Sequence, residues 1–183
     1  RMNLTERRPA NREAYERYLR GRHEWHKRSS EGLKKARDYF QQAIDSDPAF
    51  AAAYAGLADT YTLMGGRFRL LPKDEAYAKA EAAARRALEI DPQMAEAHTA
   101  LGGIYSNQFR WKSAEREFKR SIELNPNYAI TRAWYSLVLQ LTDRTEEGLR
   151  ELQTAKALDP LAPIVSANLA RCLLVKGDYE GGI

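Results

Sequence analysis

The sequence predicts an all-α fold built from stacked pairs of antiparallel helices, and three observations predict it. A helix-ending segment recurs as Ala43-Ile44-Asp45-Ser46-Asp47-Pro48, Ala87-Leu88-Glu89-Ile90-Asp91-Pro92, Ser121-Ile122-Glu123-Leu124-Asn125-Pro126 and Ala155-Lys156-Ala157-Leu158-Asp159-Pro160. Its spacing is regular: Pro126 and Pro160 each follow the preceding proline by 34 residues, and Pro92 follows Pro48 by 44. Between the prolines, apolar and small residues return at helical intervals.

Proline disfavours the α conformation in the residue before it and suits the first turn of a new helix. Each Asp/Asn-Pro pair is therefore read as ending one helix and starting the next, with the Asp or Asn as N-cap. After Pro48 come Tyr54, Leu57, Ala58 and Tyr61. After Pro92 come Leu101, Gly102 and Tyr105, then Ala114, Phe118 and Ser121. After Pro126 come Tyr135, Ser136 and Leu139, then Gly148, Leu152 and Ala155, and after Pro160 come Leu169, Ala170 and Leu173. The small residue beside the large one lets two helices approach, and the aromatic one turn later fills the space between units. No pair can bury its apolar stripe alone, so stability comes from stacking neighbours.

In these residues the chain resembles the tetratricopeptide repeat family, whose motif places are matched in one repeat by Leu101, Gly102, Tyr105, Ala114, Phe118 and Pro126. The resemblance implies a right-handed α-α superhelix, a TPR solenoid, over residues 11–183. Its repeats are 11–48 (atypical), 49–92 (with ten inserted residues), 93–126, 127–160 and a partial 161–183, preceded by an extension at 1–10. The stretches Glu13–Arg22, Gly32–Ala36 and Tyr54–Asp59 also resemble the repeat regions of bacterial signalling proteins. There the array lies C-terminal to a winged-helix transcription regulator, a Ser/Thr kinase or a nucleotide cyclase. The chain opens on Arg1-Met2 and stops at Gly182-Ile183 inside an expected helix pair, so it reads as part of a longer protein.

The family's ligand-facing places on the first helix of each pair carry over to Asp59, Thr62 and Leu63, to Thr99 and Asn107, to Ile130, Leu137, Gln140 and Leu141, and to Arg171 and Leu174. These are the expected partner-binding residues. The earlier ones are small or polar and the later ones apolar, which suits a peptide or helix with apolar anchors. Leu174 and Val175 could equally be covered by the rest of repeat five. The family's chaperone-binding clamp needs basic and amide side chains, whereas the matching places hold Ala55, Asp59, Glu96, Ala100 and Ala133. Arg171 and Asn168 alone could hold an acidic group, or be solvated or paired within the chain. The inserted Gly65–Asp74 has two readings: Phe68 and Leu70 reach a ligand, or the insertion lengthens the second helix and packs on its own repeat.

Charge narrows the function classes. Residues 1–48 carry 12 Lys/Arg against 8 Asp/Glu, while residues 49–183 carry 17 of each, so the net +4 lies in the first quarter. The repeats show no basic stripe of the kind nucleic-acid binders carry, so no nucleic-acid partner is expected. No run approaches the ~18 apolar residues that span a membrane. The single cysteine, Cys172, builds no disulfide framework or multi-cysteine metal site and reads as a small core residue; the expected compartment is the cytoplasm. His23 and His26 share a helix face, but metal sites usually converge three or four ligands, so neither metal nor cofactor is expected. There is no phosphate-cradling Gly-rich loop, no Gly-x-Ser-x-Gly elbow and no Cys-His pair, so the chain is not read as an enzyme. Trp25, Trp111, Trp134 and most tyrosines fall on packing places. The leading expectation is a protein-binding scaffold; the alternatives are a self-association module and a small-ligand sensor.

Overall fold

The computed structural model describes residues 11–176, with side chains through Leu173. The extension read at 1–10, the end of the partial repeat at 177–183 and the side chains of Leu174 and Val175 lie outside the described residues. All regular structure among the described residues is helical: α1 Arg12–His26, α2 Ser30–Ser46, α3 Ala51–Gly65, α4 Lys73–Ile90, α5 Ala95–Asn107, α6 Trp111–Leu124, α7 Ala129–Leu141, α8 Thr145–Leu158 and α9 Pro163–Lys176. They fall into two compact units that divide between Ile104 and Tyr105, within α5.

Helices α2, α4, α6 and α8 all end two residues before a proline, and α3, α5, α7 and α9 all begin three residues after it. The residue before the proline is extended, as at Asp47 with φ −145° and ψ 91°, because proline excludes it from the α region. Each junction is the same β-turn. The carbonyls of Asp47, Asp91, Asn125 and Asp159 accept the N–H groups of Phe50, Met94, Tyr128 and Ala162 at 3.0–3.3 Å. Their side chains accept the N–H groups of Ala49, Gln93, Asn127 and Leu161 at 3.1–3.2 Å. Proline's fixed φ suits the second place of such a turn. The expectation that Asp or Asn caps the next helix is thereby corrected: it caps the turn, and α3 and α7 start at Phe50 and Tyr128 without a side-chain cap.

Extra residues are absorbed mainly as helix. In the first repeat α1 and α2 have 15 and 17 residues, against 13 and 14 in α7 and α8, which places the five extra residues in the helices. In the second repeat α3 has 15 residues and α4 has 18, and the connection runs over residues 66–72 rather than three residues. That connection folds back on its own helix: Phe68 N–H donates to the Leu63 carbonyl at 3.1 Å and Leu70 N–H to the Met64 carbonyl at 2.7 Å. Phe68 and Leu70 are both half-buried.

In the first unit α4 buries Ala76, Tyr77, Ala80, Ala83, Ala84 and Ala87 on one stripe. Phe40 of α2 is fully buried between two glycines: a Cβ at Gly21 of α1 would lie 2.7 Å from its ring, and one at Gly56 of α3 2.6 Å. Only glycine allows both backbones to approach that ring. In the second unit Phe118 lies 6.0 Å from Tyr135, centroid to centroid. Ala129, Ala133, Leu152, Ala155, Val165 and Cys172 form its core. Glu115 of α6 ties three elements together there. It accepts the Tyr135 hydroxyl of α7 at 2.8 Å and pairs with Arg144, just before α8, at 2.9 Å and with Lys119 at 2.8 Å.

Candidate partner-binding surface

Helix α3 runs Ala51-Ala52-Ala53-Tyr54-Ala55-Gly56-Leu57-Ala58-Asp59 and is buried on nearly all sides. Small side chains bring its neighbours close, and that encloses most of what was expected to face a partner. Asp59 is 4% exposed. Thr62 is buried and its hydroxyl donates to the Ala58 carbonyl at 2.9 Å. Thr99 of α5 is buried as well, its hydroxyl donating to the Ala95 carbonyl at 3.1 Å. Thr99 holds the repeat place of Ala55 and Ala133, both buried too. Thr62 and Thr99, expected as partner contacts, are thus both enclosed in this structure. Leu63 is half-buried.

The second unit leaves more in water. On α7, Ile130, Leu137 and Gln140 are half-buried and Leu141 is 64% exposed. Trp134 is half-buried too and belongs with them, because 130, 134, 137 and 141 follow one another at steps of four, three and four along one helix face. Trp134 falls on a packing place of the repeat, and its half-burial leaves part of it on this candidate face. The side-chain nitrogen of Gln140 is buried without a hydrogen-bond partner. Asn107 and Arg171 are exposed. Asn168 is not available for an acidic group, since its amide donates to the Ala133 carbonyl at 2.9 Å. The Leu174 side chain lies outside the described residues.

The electrostatic anomaly lies in the first unit. Oδ1 of Asp59 is buried without a hydrogen-bond partner. Burial pushes its carboxyl up to about 7; Arg22 and Arg28 pull against this and Glu96 adds to it. Both arginines are drawn to Trp25, with the Arg28 guanidinium 3.6 Å from the ring centroid and that of Arg22 5.4 Å. Asp59 lines a cavity of about 30 Å³ with Tyr18, Arg22, Met94 and Glu96. His23 and His26 are exposed on α1. No helix among the described residues is long and apolar enough to cross a membrane.

Helix pairs joined by short connections, with small residues at their crossings, define a helical-repeat fold. Residues 73–141 match the family model described as tetratricopeptide repeat, and the fold is that of this family. A thermophilic TPR protein of Thermus thermophilus superimposes with a TM-score of 0.73 at 19% identity, covering 90% of this chain and 84% of its own. YrrB, described as a TPR protein with an unusual peptide-binding site, gives a TM-score of 0.51 at 21% identity, over 82% of this chain and 73% of its own. In sequence, the transcriptional regulator HilA of Salmonella typhimurium is 29% identical over 143 residues, or 78% of this chain. The chain spans 26% of that regulator's length. Tetratricopeptide repeats are protein–protein interaction scaffolds, and that class fits the apolar face of α7.

Proposed function

We propose that the chain takes a peptide or helix of a partner protein on the faces of its first helices, as a regulatory part of a larger bacterial protein. The observation that carries this is the stripe Ile130, Trp134, Leu137 and Leu141 on α7: four large apolar side chains on one face, none of them buried. Leu141 is exposed and the other three are half-buried beside it, and a part-exposed apolar stripe suits the anchors of an amphipathic helix. The likeness to HilA supports the regulatory setting.

Selection of a displayed library of short random peptides on the chain tests it. A selected peptide is expected to lose at least about tenfold in affinity on Leu137→Glu, as central interface anchors do, with the far-UV circular dichroism unchanged. Leu141→Glu, at a more exposed position, is expected to weaken binding without touching the core. Unchanged affinity in both variants would show that α7 is not the contact face.

A further inference from the structure

We propose that the cavity beside Asp59 is a subsite for a primary ammonium group, the lysine tip of the partner peptide, held by the Asp59 carboxylate with Glu96 at its rim. The inference rests on the protein-binding reading above and names the chemistry a partner would bring to the first unit. An ionised carboxylate only accepts hydrogen bonds, and a buried one without a donor is costly. Oδ1 of Asp59 is buried with none, and neither Arg22 nor Arg28 supplies one to it. There is space for a cation head in a cavity of about 30 Å³ that Asp59 lines with Tyr18, Arg22, Met94 and Glu96. The approach is right as well. Ala52, Ala55 and Gly56 give small apolar walls for a lysine stem, and Ala52, Arg22, Met94 and Glu96 are only half-buried, so the cavity has a mouth. Lysine carries its charge as a compact point on a flexible stem. The groups facing Asp59 are Tyr18, Arg22 and Arg28 from α1 and its C-terminal turn, and Glu96 from α5. Burial is the largest cause of the raised Asp59 titration, and the nearby Arg22 and Arg28, which lower it, do not offset that.

The test uses the intact chain with carboxyl-labelled aspartate, its Asp59 resonance assigned by Asp59→Asn, and n-butylammonium chloride as a lysine-tip probe. The expected result is a saturable shift of the Asp59 carboxyl resonance and a fall in its titration midpoint by about one pH unit or more, as a close opposite charge produces. Tetramethylammonium chloride, which has no N–H to donate, and 1-butanol, which carries no charge, are expected to leave both unchanged. Glu96→Gln is expected to weaken the butylammonium response. If the resonance does not saturate, or responds equally to tetramethylammonium, there is no ammonium-specific site beside Asp59 and the subsite is refuted. That failure is separable from failure of the peptide reading, because Leu137→Glu acts on α7 and is read by peptide affinity alone.

Discussion

Arg28, Arg69, Phe109 and Asp143, one in each connection inside a helix pair, have φ between 48° and 61°, and none is glycine. Left-handed backbone costs an L-residue roughly 1–2 kcal/mol. At Asp143 the geometry is a Schellman ending: Arg144 N–H donates to the Leu139 carbonyl at 2.8 Å and Asp143 N–H to the Gln140 carbonyl at 3.3 Å. Asp143 is exposed, so its side chain does little to offset the strain. Asp143→Gly is expected to stabilise the chain by about 1 kcal/mol and to raise Tm by about 2–4 °C, measured by thermal unfolding; a lower Tm would show that the aspartate serves the turn. These left-handed positions were not legible in the sequence, because glycine is the usual signal and is missing at all four. The burial of Asp59 was hidden for a different reason. An aspartate in an alanine-rich helix reads as its polar face, and it is enclosed here because Ala52, Ala55 and Gly56 let the neighbours close over it.

The helices themselves were legible, since four Asp/Asn-Pro segments fixed where each pair ends. The sequence misled only over what the Asp or Asn caps, because proline at the second turn position delays the next helix by three residues. The contacts that lock one element to the next were less visible. Glu115 meets Tyr135 and Arg144, which lie 20 and 29 residues further along the chain, so no local pattern points to them. Burial raises the Glu115 carboxyl, but hydrogen bonds from Lys119, Arg144 and Tyr135 outweigh it and hold it at about 2, below its ordinary 4.5. A carboxyl depressed in the fold binds fewer protons there than in the unfolded chain. Its stabilisation is therefore full above about pH 4.5 and is lost as pH falls towards 2. Glu115→Gln is expected to cost about 1–2 kcal/mol at pH 7, with the difference from the parent shrinking as acid is added. Urea melts at several pH values check it, and a difference that persists at low pH would contradict the ion-pair account.

Across the chain, the 34-residue spacing of Pro92, Pro126 and Pro160 is what made the repeat class readable, and the fold agrees with it. The partner surface was only partly readable. Repeat places tell which side of a helix faces outward, but side-chain size decides whether a neighbour then covers it. Where the outward places hold Ile130, Leu137 and Leu141 the face stays partly in water, and where α3 presents alanine and glycine it closes. A partner is therefore expected to meet the face of α7 and to leave the second helices α6 and α8 alone. Hydrogen exchange of the chain, with and without a selected peptide, tests that claim most directly. Added protection is expected over 129–141, with none over 111–124 or 145–158. Protection confined to α6 and α8, or absent from α7, would contradict it.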